Sequence, residues 1–197
     1  MANSALICID YINDIISEGG KLAGKGYKSF ADSHGTLGAV ASLQAYCRER
    51  AIPVVHVRVG FDPQYLNHPK NSPLFAAAAQ FNALASGSHG TEFAASVRPA
   101  AGELVMHKPR VSAFYGTPMD SALRCLGVEQ LMICGVATDL AVQSAARDAH
   151  DRDFSVVVVA DACAAANDVD HETSLATLAK IASITTLDLL RKEDEGS

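Results

Sequence analysis

Apolar residues in this chain gather in short runs, and between the runs apolar and polar positions recur at helical spacing. The runs Ala5–Asp10, Pro53–Val59, Glu103–His107, Gln130–Cys134, Ser155–Ala160 and Ile184–Leu187 are nearly continuous in apolar residues. Continuous runs of this length predict strands buried on both faces of a sheet. The intervening spacing predicts helices near Gly35–Arg50, Pro118–Leu126, Thr138–Arg152 and His171–Ile181. Strand and helix alternate, and the later crossovers have the length of right-handed βαβ units. The expected fold class is therefore α/β, with a six-stranded, mainly parallel sheet and helices on both faces.

One stretch breaks the rhythm. Residues 60–99 carry prolines and glycines near their ends, an alanine-rich centre around Phe75–Ala85, and the patch SGSHGTEF. An insertion this long in a compact domain is expected to be a lid, a binding loop or an oligomer arm. Its apolar centre predicts packing on a neighbouring subunit, in a homodimer or homotetramer. The tail Arg191–Ser197 is charged, has nothing to bury, and is expected to fray.

The 197 residues fit a single domain, 1–197. A net charge of −6 supplies no basic field for nucleic acid or an acidic membrane. No run of about 18 apolar residues predicts a membrane span. MANSALICID lacks the basic start and long apolar region of a signal peptide. The five cysteines are scattered without a C-x-x-C pair, and Cys8, Cys134 and Cys163 fall in or beside apolar runs as small core residues. A cytoplasmic protein acting on a small molecule, with no metal and no cofactor, is the expectation.

Three places could carry chemistry. Asp10 ends the first strand, and carboxyl ends of parallel strands open onto the ligand crevice of α/β proteins; a helix cap or loop ligand is the alternative from position alone. Asp14 falls later in that loop and is expected to be solvated. Lys108 follows the third strand in VMHKPRVSAFYGT. The turn Gly135-Val136-Ala137-Thr138 leads into a helix, with Thr138 and Asp139 suited to its cap and first turn. Amides at such an N-terminus can cradle an anion.

The stretch ICGVATDLAVQSAARDA (Ile133–Ala149), together with the Lys108 segment and ADACAAA (Ala160–Ala166), resembles the isochorismatase-like (cysteine hydrolase) superfamily over nearly the whole chain. The resemblance implies a three-layer Rossmann-like fold and hydrolase activity. It makes Asp10 the catalytic aspartate, Lys108 the catalytic lysine, and Phe114 a pocket-wall aromatic, with Arg110 a weaker anion-binding candidate. It also implies a cis peptide between Val136 and Ala137, the residues placed to bind substrate or an oxyanion.

The amidase branch of that superfamily carries its nucleophilic cysteine where this chain has Ala141, and a methyl group cannot attack a carbonyl. Cys134, Ser144 and Ser112 have no recognisable partner base. The nicotinamidase branch carries metal-binding histidines soon after its aspartate; YINDIISEGGKLAG has none. His89 is a candidate for the pocket mouth. Three readings follow: enol-ether or related hydrolysis with Asp10 as acid and Lys108 as carboxylate anchor; an amidase whose nucleophile is replaced by Ala141; or an inactive ligand-binding member.

Overall fold

In the computed structural model, which describes residues 3–195, six strands form one sheet and every pairing in it is parallel. They are β1 (Ser4–Ile9), β2 (Val54–Val59), β3 (Leu104–Lys108), β4 (Gln130–Gly135), β5 (Ser155–Val159) and β6 (Ser183–Thr185), in the order β3-β2-β1-β4-β5-β6. The order reverses between β1 and β4, which throws successive right-handed crossovers onto opposite faces and opens a crevice at the carboxyl ends there.

The helices are α1 (Asn13–Ile16), α2 (Tyr27–His34), α3 (Thr36–Glu49), α4 (Met119–Cys125), α5 (Gln143–His150), α6 (Asp168–Leu178) and α7 (Leu187–Glu195). Helix α3 packs against α7, and α5 against α6. All six residues of β1 are buried, with Leu6 and Ile9 fully so. Each such side chain contributes about 1.5–3 kcal/mol by leaving water. Cys8 pairs with His56 on one side and Cys134 on the other, so the middle of β1 is covered at both edges. Gly135 ends β4 without a side chain because a Cβ there would lie 2.8 Å from that of Ile9.

Four readings of the sequence are corrected. Helices α1 and α2 lie in a stretch that shows too little periodicity to predict them; α1 is a single turn. The predicted helix from Thr138 is a π-helical turn, Thr138–Val142, continued by α5, and no side chain caps it. Helix α6 begins earlier than the apolar spacing indicates, because Asn167 caps it by accepting from the Asp170 amide. The tail is helical as far as Glu195: Asp194 accepts from Tyr46 and Arg50, which ties charged residues to the body. Residues 196–197 of that tail, and Met1 and Ala2 of the N-terminal stretch, lie outside the described residues.

The insertion folds back on its own domain. Its residues 63–84 run largely as turns, and Phe61 pairs with Ala85 across their base. Phe61, Phe75, Ala83 and Leu84 are buried within this chain, while Leu66 and Phe81 are exposed. Part of the apolar centre is thus covered by its own domain, and Phe81 is left exposed. No helix among the described residues is long and apolar enough to cross a membrane.

Candidate active site

Asp10 stands one residue past β1 with a left-handed backbone, φ 61°. Aspartate tolerates this region better than most residues, but the conformation still costs on the order of 1 kcal/mol. The geometry is held from three strands. The Asp10 amide donates to Val57 O, the Val59 amide donates to Asp10 Oδ1 at 2.6 Å, and Lys108 Nζ lies 2.7 Å from Oδ2. Asp10 and Lys108 are 3% and 2% exposed, so the ion pair is removed from water.

Burial raises the Asp10 pKa, and the opposing pull of Lys108 and the Val59 amide does not cancel it. The carboxyl therefore holds a proton more readily than an ordinary aspartate. Each of its oxygens keeps a second lone pair for a proton or a water.

Lys108 has three N–H donors, and all three have protein acceptors: Asp10 Oδ2, Arg110 O at 3.2 Å and Val111 O at 2.8 Å. The ammonium expected to anchor a substrate carboxylate thus has all its donors on protein acceptors. Taking on that anion would break a bond the ammonium already makes in a buried site, so its ammonium serves Asp10.

The two residues form the floor of a cavity of about 260 Å³, near the small end of ligand pockets. Val136, Ala137, Leu140 and Ala141 supply one wall, and the Val136–Ala137 peptide is cis. The Thr138 and Leu140 amides of this turn already donate to Ala164 O and Ala137 O. Ala137 and Ala141 line the cavity beside these committed amides. Thr138 Oγ1 pairs with His171 Nδ1 at 2.9 Å, which occupies the side chain expected to cap. The opposite wall comes from the insertion, through Leu74, Phe75, Ala78, Phe81 and Leu84.

The structure brings Asp10, Lys108, Val136, Ala137 and Ala141 to one cavity and leaves Phe114 and Arg110 outside it. Phe114 is buried between Phe154 and the Arg152 guanidinium, a packing role away from the cavity. Arg110 donates to Asn67 O and Pro109 O. Ser112 donates to Asp148, Cys134 lies fully buried beside Cys8, and neither they nor Ser144 and His89 line the cavity. Among the described residues no cysteine, serine, threonine or histidine lines it.

Sequence reasoning missed the rim. Lys21, Leu22, Lys25 and Tyr27 line the cavity from the segment GGKLAGKGY, whose glycines hide it from any periodicity. Asp14 was expected in solvent and is 3% exposed instead. Its Oδ2 accepts from the Leu84 amide at 2.7 Å, clasping the insertion to α1. Gly90 lies so close to that carboxylate that a Cβ would stand 2.3 Å from it. The alanine-rich centre of the insertion is the one signal that could have pointed to this wall.

An all-parallel sheet in this order, with an aspartate–lysine pair at the carboxyl edge of its central strands, defines an α/β hydrolase of the isochorismatase-like class. The chain belongs to the isochorismatase family, whose domain model matches residues 4–188. It is 35% identical to the ureidoacrylate amidohydrolase RutB of Methylobacterium radiotolerans over 176 residues, 82% of this chain and 67% of that protein. Among solved structures it is similar to an isochorismatase family protein from Desulfovibrio vulgaris, with a TM-score of 0.87, 29% identity and 98% of both chains covered. The N-carbamoylsarcosine amidase of Thermoplasma acidophilum is similar at a TM-score of 0.74 and 28% identity, over 94% of this chain and 96% of that one.

Proposed function

We propose that this hydrolase cleaves a small molecule without a covalent enzyme intermediate, with Asp10 moving the proton. The observation that carries this is a cavity whose floor is Asp10 and whose walls offer no thiol or aliphatic hydroxyl. Ala141 stands where the amidases of the superfamily place their nucleophile, so water must be the attacking group. A carboxyl raised by burial suits a general acid near neutral pH.

In an enol ether, protonated Asp10 gives its proton to the vinyl carbon. Water adds to the resulting oxocarbenium carbon, a proton returns to Asp10, and the hemiketal splits into a ketone and an alcohol. Lys108 holds the carboxylate that forms in between.

A second reading is favoured by the names of the relatives, an amidohydrolase and an amidase. Here water attacks a ureido or amide carbonyl directly, Asp10 takes the proton from water and passes it to the leaving nitrogen, and the C–N bond breaks. The two readings need opposite charge states of Asp10. An acid role makes kcat/KM fall as pH rises through the Asp10 pKa, and a base role makes it rise. Both substrate classes are assayed on this chain and on Ala141→Cys. Amide cleavage by the cysteine variant alone refutes water attack on amides, and no cleavage of either class by either protein refutes the catalytic reading.

A further inference from the structure

The cavity reverses the charge of the molecule around it. Three lysines line it, Lys21, Lys25 and Lys108, against one acidic residue, Asp10, in a chain of net charge −6. A local field of the opposite sign to the whole concentrates ligands of one charge, here anions.

Only one of the three ammonium groups is uncommitted. Lys108 has given its donors to Asp10, Arg110 O and Val111 O. Lys21 Nζ donates to Asn82 O, which ties the rim to the insertion beside the Asp14–Leu84 clasp. Lys25 lines the cavity with no side-chain hydrogen bond or ion pair among the described residues. It ends a short 3-10 turn, Ala23–Lys25, and Gly26 follows with φ 105°. A Cβ on Gly26 would stand 2.2 Å from Ala166 O, so the loop presenting Lys25 is pressed against the body of the domain. Tyr27 continues the same wall.

Between this rim and the Asp10 floor the lining is almost wholly apolar: Ile15, Leu22, Val59, Leu74, Phe75 and Leu84 are part of it. Asp139, next along the chain to Leu140, does not line the cavity. A ligand matching this layout has its reactive group at one end, an apolar spacer in the middle, and an anion at the other.

We propose that Lys25 is the specificity-determining residue that binds the substrate carboxylate, so that the enzyme takes small acids whose scissile group and carboxylate are separated by an apolar spacer. This rests on the reading of the Asp10 cavity as the substrate site.

The test is equilibrium binding of straight-chain ω-ureido acids with two to five methylenes, each beside its neutral primary amide, by calorimetry. In the unaltered protein the best acid binds about tenfold tighter than its amide, the scale of one charge-assisted hydrogen bond from the exposed Lys25 at the cavity rim. Lys25→Gln brings that ratio to about one and leaves amide affinity unchanged, which shows the cavity intact. Lys25→Arg keeps most of the preference, Lys25→Glu turns it toward the amide, and Lys21→Gln retains it. Equal binding of acids and amides by the unaltered protein, no binding of any acid, or a preference that survives Lys25→Gln overturns the proposal. Binding does not require turnover: a Lys25-dependent preference in a protein that hydrolyses nothing would sink the catalytic reading and leave the anion site standing.

Discussion

Two carboxylates flank the strand β3 and are held in opposite states. Glu103, just before the strand, receives Arg48 Nε at 2.7 Å and Nη2 at 2.9 Å, His56 Nε2 at 2.8 Å and the Ala100 amide at 2.7 Å. Burial raises its pKa, but these donors together pull it down to about 2. Asp10, at the far end beside Lys108, has one ammonium and one amide, lies deeper, and is pushed up instead. Both are ion-paired carboxylates, at opposite ends of one edge strand. What separates them is donor supply against depth: a carboxylate with four donors near the surface is locked as an anion, and one with two donors in the interior stays ready to titrate. The first kind holds structure and the second does chemistry.

The largest effect expected is on the second kind. Asp10→Asn keeps the shape and removes the proton carrier, and turnover should fall by about 10²–10⁴ with the fold intact by circular dichroism. Lys108→Met removes the charge that opposes burial, so the Asp10 pKa should rise further and the pH limb of kcat/KM should move to higher pH. A limb unmoved by Lys108→Met would show that Asp10 is not the group titrating.

Glu103→Gln should act on stability alone. Losing charge-assisted bonds near the surface should cost about 2 kcal/mol in denaturant unfolding, with turnover per folded molecule unchanged. The network also sets an acid limit. Glu103 is depressed from 4.5 to about 2, so its contribution is present above 4.5 and is lost as pH falls toward 2. Burial lowers His56 from 6.5, so charging it in the fold is disfavoured and stability begins to drop as pH falls below 6.5. Both act in the same direction, and Glu103→Gln should flatten the lower part of the curve. A curve unchanged by that substitution would remove the distinction between the two carboxylates.

Asp14 holds structure as Glu103 does: its carboxylate fastens the cavity wall through the Leu84 amide. Asp14→Ala strands the Leu84 amide, which should cost about 1–3 kcal/mol and loosen the insertion wall. KM should rise more than kcat falls, because the wall binds and does not react. An unchanged KM would mean that the wall does not touch substrate.

The sheet was legible because β1, β2, β4 and β5 are apolar runs with no competing period, and their ends fall within a residue or two of the strands found. Asp10 and Lys108 fall at carboxyl ends of strands, but position alone leaves Asp10 between a site and a cap and Lys108 a surface charge, and the family resemblance is what singled both out. The depth of Asp10, the saturation of Lys108 and the rim were not legible. Whether burial outweighs an ion pair depends on neighbours from β2 and β3, far away in the chain. Arg110 and Phe114 show the converse. Sitting two and six residues beyond Lys108 says nothing about which way the chain turns, and it turns both away from the cavity.

The smallest effect expected is none at all, and it is informative for that reason. Of the five cysteines, only Cys125 is exposed. Its neighbours in composition are shielded: burial pushes Cys47 and Cys163 up to about 12, and the hydrogen bond with Cys134, together with burial, pushes Cys8 well above its usual range. A thiol reacts as its thiolate, so these groups combine low access with a negligible reactive fraction at neutral pH. Cys134 lies two residues before Val136, yet it is fully buried with its sulfur 3.9 Å from that of Cys8 and does not line the cavity. An alkylating agent should therefore modify Cys125 alone, at one equivalent by mass spectrometry, with no loss of turnover. In Ala141→Cys the same reagent should add a second equivalent that substrate blocks, because position 141 lines the cavity. Substrate-protected modification of Cys134 in the unaltered chain would place a thiol at the reacting centre and overturn the assignment of water as the attacking group.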